Sequence, residues 1–286
     1  MSRLPVRKTY KLFVGGAFPR SESGRSYEVV DARGRFVGNV AKASRKDARD
    51  AVVAARAAFG KWSAATPYNR GQVLYRAAEV MEGRREQLAA EVAAAEGVTR
   101  RTADALVAAS VDRFVWYAGW TDKLAQVVGG SNPVAGPFFD FSVPEPSGVV
   151  AVVAPQDSAL LGLVSVVAPV VATGNTCIVL AAQRMPVPAV TLAEVLATSD
   201  VPGGVVNILT GDPAEVAPWL ASHMDVNAVD LTGAGEQATD LEVAAADNLK
   251  RVRRPAALPE DWYADPGIDR MTSFLETKTV WHPVGI

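Results

Sequence analysis

Few residues of this chain could do covalent or acid–base chemistry. There is one cysteine, Cys177, and there are two histidines, His223 and His282. A nucleophilic thiol needs access and a lowered pKa, yet Cys177 sits mid-segment in the apolar run GNTCIVL. Free cysteine is among the most buried residue types, so a core role is the expectation there. His223 precedes MDVN at what reads as a helix end, and His282 lies beside Trp281 and Pro283. The first reads as a surface or capping residue and the second as interfacial. No spacing of His, Cys or carboxylates resembles a metal ligand set, and no nucleophile elbow is present. Asp157 and Asp212 fall where strands end. Both could simply serve turns, with Asp212 preceding Pro213. The sharper alternative is a residual site for a cation or polar ligand. The stretch GAGEQA, Gly233 to Ala238, keeps only the first two glycines of a dinucleotide fingerprint.

The elements that must position these residues follow from patterning. The chain has 286 residues, is 49% hydrophobic and carries a formal net charge of −2. No basic stripe exists, which argues against nucleic acid or an anionic membrane surface as partner. The longest apolar run, Ser158 to Val171, holds a Gly and a Pro and is too short to span a bilayer; it reads as a buried helix. The basic N-terminus has no hydrophobic signal region, so a cytoplasmic protein is expected. Residues 10–21 predict a strand, a Gly-Gly turn and a second strand start, and residues 27–44 a hairpin around Ala32-Arg33-Gly34. Ser44 predicts the N-cap of a helix, a second helix is expected from Tyr68 to Gly97, and a third over Thr102 to Val127.

From Pro146 onward, apolar runs alternate with helical stretches: PSGVVAVVAP, NTCIVLA, GGVVNILTG and VNAVDLTG are predicted strands, and the last helix is predicted to run through EQATDLEVAAADNLKRV. This alternation means βαβ units, hence an α/β doubly wound parallel sheet. Ligands of such sheets bind beyond the strands' carboxyl ends. Those ends are Ala154 to Asp157, Leu180 to Ala182, Thr210 to Asp212 and Leu231 to Gly233.

The segments PSGVVAVVAP, APVVATGNTCIVL, VPGGVVNILTG and HMDVNAVDLTGAGEQA…NLKRV, in this order, resemble the aldehyde dehydrogenase superfamily, as do NRGQVLYRAAEVMEGRREQLA, RFVWYAGWTDKL and KLFVGGAFPRSESGRSYEVVD upstream. The resemblance runs from Tyr10 to Val252. It implies a modified Rossmann-like domain over residues 1–252, with N-terminal helices and an oligomerisation arm at about 136–146. It also implies an NAD(P) site of which Pro155, Gly211, Thr232 and Gly233 are vestiges, so no firm cofactor is expected and any NAD(P) binding is expected to be weak.

The departures from the family pattern are specific. Where the family has Pro-Trp-Asn-Phe-Pro, whose Asn donates to an oxyanion, this chain has Pro155-Gln156-Asp157-Ser158-Ala159. An ionised Asp157 can only accept hydrogen bonds. The ribose-binding Lys of Lys-Pro-Ser-Glu is lost in Ala181-Ala182-Gln183-Arg184, although Arg184 could reach back. Phe-Thr-Gly-Ser becomes Leu231-Thr232-Gly233-Ala234. Past Val252 the family continues to its general-base Glu and then to a domain with the nucleophilic Cys. Here residues 253–271 read as a Pro-rich linker, and residues 272–286, with FLETKTVWHP, resemble the family's C-terminal oligomerisation strand, carried by Thr279, Val280, Trp281 and His282. The pattern looks most like the degenerate half that accompanies an active half in one subfamily.

Three functions are therefore expected to compete. One is a non-catalytic assembly subunit, forming a homo-oligomer or a hetero-oligomer with a full-length aldehyde dehydrogenase through the terminal strand's open edge. Another is an NAD(P)-dependent aldehyde oxidoreductase, active only if a partner supplies Cys and Glu. The last is a nucleotide-sensing module, weakened by the lost Lys because a charged hydrogen bond contributes about 1.5–3 kcal/mol.

Overall fold

A computed structural model describes residues 8–285. The N-terminal residues 1–7, on which the expectation of a chain without a signal region partly rests, lie outside them, as does Ile286 at the end of the expected terminal strand. In chain order the elements are β1 (Ser26–Val30), β2 (Phe36–Ala41), α1 (Arg45–Ala64), α2 (Pro67–Gly83), α3 (Arg85–Glu96), α4 (Arg100–Trp120), α5 (Leu124–Val128), β3 (Gly130–Asn132) and β4 (Phe138–Pro146). There follow β5 (Val149–Val153), α6 (Leu161–Ala172), β6 (Thr176–Leu180), α7 (Val187–Ala197), β7 (Val206–Leu209), α8 (Pro213–Ala221), β8 (Ala228–Asp230), α9 (Ala238–Ala246), β9 (Arg251–Arg253), α10 (Asp269–Thr272) and β10 (Leu275–Pro283).

Local chemistry sets most boundaries. Ser44 caps α1 in a capping box with Asp47: each side chain accepts from the other's backbone N–H. Thr66 caps α2, with Pro67 at its first position, and Thr99 caps α4. The expected second helix is two: Arg84 (φ −107°, ψ 14°) separates α2 from α3, just after Gly83. The expected third helix starts two residues earlier and also breaks, after Trp120.

The alternation of β5, β6, β7 and β8 with helices forms a parallel sheet ordered β7-β6-β5-β8-β9. Side chains of β5 alternate between its two faces. Val150 and Val152 join the core under α2, α4 and α6, whereas Val149, Ala151 and Val153 join the core under α1 and α8. Every residue of α6 is buried, as a sequence apolar but for Ser165 requires, and the Ser165 hydroxyl is satisfied by the Leu161 carbonyl. Three asparagines, Asn175 and Asn207 fully buried and Asn227 half-buried, fasten the loops to this sheet. Asn207 donates to the carbonyls of Cys177 and Gly204 and accepts from Gly15 N–H. Asn227 Oδ1 accepts from Val149 N–H and Arg56. Asn175 accepts from Gly148 N–H and donates to the Phe274 carbonyl, which ties the C-terminal segment to the sheet.

The C-terminal region differs from the sequence expectation. The last long helix does not run through Val252; α9 stops at Ala246, Leu249 takes a left-handed φ of 57°, and Arg251–Arg253 enter the sheet as its fifth strand, paired parallel to β8. Tertiary pairing overrides helical periodicity there. The expected linker is thus partly structured: it starts as strand and ends in the short helix α10. The terminal strand β10 folds back on its own chain. It pairs antiparallel with β4 over nine positions, from Leu275 opposite Pro146 to Pro283 opposite Phe138. With β3 on the far side of β4, these make a separate sheet in which β10 is an edge.

Candidate functional site

The topological switch point lies between β5 and β8: the helix after β5 covers one face of the sheet and the helix after β8 the other. A cavity of about 450 Å³ opens there. Pro155, Gln156 and Asp157 from the end of β5 line it, as do Thr232 and Gly233 from the end of β8. The sequence-predicted residues Pro155, Thr232 and Gly233 therefore do converge, with Asp157 beside them. Gly211 does not join them. It lies at the end of β7, beyond β6, where its loop packs under the β2–α1 connection: Ala43 N–H donates to the Thr210 carbonyl and Thr210 Oγ1 to that of Ala41. Asp212 accepts from Ala214 N–H as the N-cap of α8, which is turn chemistry rather than a ligand site. Arg184 does not line the crevice. It lines a neighbouring cavity of about 630 Å³ with Tyr27, Gln183 and the β1–β2 hairpin.

Each crevice residue has a local reason for its position. Gln156 bridges two strand ends, donating to the Ala154 carbonyl at 2.7 Å and accepting from Gln183 N–H at 3.0 Å. Asp157 is exposed. Gly233 presses against β5 so tightly that an added Cβ would lie 1.8 Å from the Ala154 oxygen. Its lack of a side chain is thus a packing requirement before any ligand is considered. Thr232 is held by Asp230, whose carboxylate accepts both its N–H and its hydroxyl.

Asp230 belongs to a buried ion cluster that sequence reading missed. Arg270, 5% exposed, donates to Asp230 Oδ2 at 3.2 Å, to Thr232 Oγ1 at 3.2 Å and to both oxygens of Glu260. Its guanidinium lies 5.4 Å from the centroid of the Trp262 ring. Arg113 on α4 donates to the carbonyls of Trp262 and Ala264. All of Glu260, Trp262, Ala264 and Arg270 fall in the stretch read as linker. The only sequence signal was the mixed charge and Trp content of a segment otherwise read as loop. Close by, burial pushes the Tyr117 hydroxyl up to about 12, and that hydroxyl has no hydrogen-bond partner among the described residues. Glu96, at the end of α3, accepts from Ala159 N–H at 2.7 Å; burial raises its pKa, with Asp157 adding to the rise.

Cys177 lies on β6, facing the larger core, and is wholly buried; desolvation raises its pKa far above the usual thiol range. Neither access nor a thiolate is provided. An Ellman titration is expected to find this thiol silent in the native protein and fully reactive, one per chain, under denaturing conditions. Rapid native reaction would show that the strand opens. His223 serves a turn, its Nδ1 accepting from Asp225 N–H. His282 is exposed and sits opposite Phe139 on β4. Among the described residues no group of three His, Cys, Asp or Glu side chains could hold a metal, and no helix is long and apolar enough to cross a membrane.

A parallel sheet with its crevice at the switch point, an N-terminal helical layer and a separate strand arm define an α/β dehydrogenase-like fold. The chain belongs to the aldehyde dehydrogenase family, whose sequence model matches residues 18–254. It is 33% identical over 261 residues to the cytosolic 10-formyltetrahydrofolate dehydrogenase of Mus musculus, covering 88% of this chain and 29% of that protein. It is 31% identical over 251 residues to the putative aldehyde dehydrogenase DhaS of Bacillus subtilis, covering 86% of this chain and 50% of that one. Among solved structures, HpcC from Thermus thermophilus superposes with a TM-score of 0.81 at 30% identity, covering 86% of this chain and 47% of that chain. The NAD+ complex of an aldehyde dehydrogenase from Bacillus cereus gives 0.81 at 28% identity, covering 86% and 50%. The chain thus spans half the length or less of these relatives.

Proposed function

We propose that this aldehyde dehydrogenase family member acts as a non-catalytic assembly or regulatory subunit, paired with copies of itself or with a full-length aldehyde dehydrogenase. The observation that carries this reading is the sheet β10-β4-β3. Nine paired positions hold β10 in an extended edge strand, and Trp281 and Val284 beside Phe138 and Phe139 expose large apolar area around it. Trp281 packs edge-on against Phe138 at 5.7 Å, and the Ser142 and Thr279 hydroxyls are 2.9 Å apart, so the arm is ordered before any partner arrives. An ordered edge with an apolar face favours pairing with another chain, because the entropy of ordering the strand is lost in folding rather than in association. The non-catalytic part of the reading rests on the crevice chemistry. The chain's one thiol, Cys177, is buried in the core away from the crevice, and the crevice's strand end presents the carboxylate of Asp157 where an electrophilic donor would be needed.

The rival reading is NAD(P)-dependent aldehyde oxidation with Cys and Glu supplied by a partner; family membership speaks for it. One experiment separates the two. The chain is co-expressed with the full-length aldehyde dehydrogenase of its own genome and run on size exclusion with light scattering, then assayed with aldehydes and NAD or NADP. A mixed or homo-oligomeric species without turnover by this chain alone is expected, and Trp281→Glu is expected to shift it toward monomer. A clean monomer that ignores the partner would sink the assembly reading. Turnover by the isolated chain would sink the non-catalytic one.

A further inference from the structure

We propose that residues 255–265 form a strap that walls one side of the switch-point crevice and narrows it, so that this chain's own segment, latched by Arg270 and Arg113, hinders nucleotide binding. In a doubly wound sheet the ligand position is the crevice beyond the carboxyl ends at the switch point. Here that crevice has a second wall. Residues 255–260 and Trp262 line it together with Pro155, Asp157 and Thr232.

The strap is held at two places. Arg270 anchors one, bonding Glu260 on the strap and both Asp230 and Thr232 on β8 and its following turn. Arg113 anchors the other through the carbonyls of Trp262 and Ala264. Between them the Trp262 ring seats in a space left by Gly162 on α6, where an added Cβ would lie 3.1 Å from the ring. The latch also occupies the ligand's own donor. The Thr232 hydroxyl donates its one hydrogen to Asp230 and accepts from Arg270, so it has no hydrogen left to give a ligand. Glu260 adds a second carboxylate to the lining beside Asp157, an unfavourable setting for a pyrophosphate.

The same contacts make the strap able to open. Residues 255–265 form no strand pairing among the described residues, and Leu258 and Tyr263 are largely exposed. Around the latch Tyr117 Oη, Arg253 Nε and Trp262 Nε1 are buried with no hydrogen-bond partner among the described residues, so no protein hydrogen bond of theirs has to break when the strap moves. Segments with few buried contacts open at lower free energy than the sheet beneath them.

The test is isothermal titration of NAD+, NADP+ and ADP into three forms of the full chain: wild type, a variant with residues 256–263 replaced by Gly/Ser at equal length, and Trp262→Ala. The Trp262→Ala chain keeps the strap's backbone and guards against loss of fold in the replacement; circular dichroism checks both. Binding of at least one nucleotide tenfold or more tighter in either folded variant than in wild type is expected. Equal affinity in all three forms, or no binding in any folded variant, overturns the proposal. Neither result touches the assembly reading, which is read from light scattering.

Discussion

Arg270→Ala is expected to lower the stability of this protein by about 3–5 kcal/mol, the penalty for removing one partner of a buried ion pair. Asp230 is 1% exposed and Arg270 5% exposed, so neither charge can recover its hydration when the other is lost. Asp230 keeps two bonds from Thr232, which softens the loss without cancelling a buried negative charge. The mechanism can be separated from simple loss of packing. Adding Asp230→Asn to Arg270→Ala removes the stranded charge, so the double variant should be more stable than Arg270→Ala alone. Urea denaturation at constant salt gives both values. A double variant that is weaker than the single would show that the carboxylate was satisfied by other means. Arg270→Lys should fall between, because an ammonium cannot fork to Asp230 and Glu260 as a guanidinium does.

Gly233→Ala is the second large effect. An ideal Cβ at this position meets the Ala154 oxygen at 1.8 Å, its carbon at 2.5 Å and the Val153 oxygen at 3.0 Å. All three are backbone atoms of β5 or its end, which cannot move as a flexible side chain can. Overpacking of this kind costs about 1–3 kcal/mol and sometimes more; contact with strand backbone places Gly233 at or above the top of that range. The effect should appear in the melting curve of the protein with no nucleotide present. A variant of unchanged stability that lost only nucleotide affinity would instead make Gly233 a ligand residue. Gly235, which has open space around its Cβ position, is the matched control, limited only by its positive φ of 54°.

Both predictions concern residues at the ends of β8 and at the start of the terminal arm, and they show how differently two candidate sites were legible. Thr232 and Gly233 could be placed at a strand's carboxyl end because an apolar run and a turn mark it. Gly211 carried the same kind of signal, yet it sits beyond β6 and outside the crevice. Strand order is not written in local pattern, and only strand order says which ends are adjacent. The arm at about 136–146 and the terminal strand were each readable, but their nine-residue pairing within one chain was not. Register between segments so far apart in the chain depends on where the intervening sheet holds both ends.

By itself, the sequence determined the parallel α/β class, the hairpin, the capped helices and the buried Cys177. Each of these follows from local periodicity, a cap, or one residue's chemistry. Only the tertiary structure decided that Arg251–Arg253 are a strand, that β10 returns to its own chain, and that the stretch read as linker is pinned by a buried arginine. Those depend on burial, which turns Arg270 from an ordinary charged residue of a loop into the partner without which Asp230 could not remain inside.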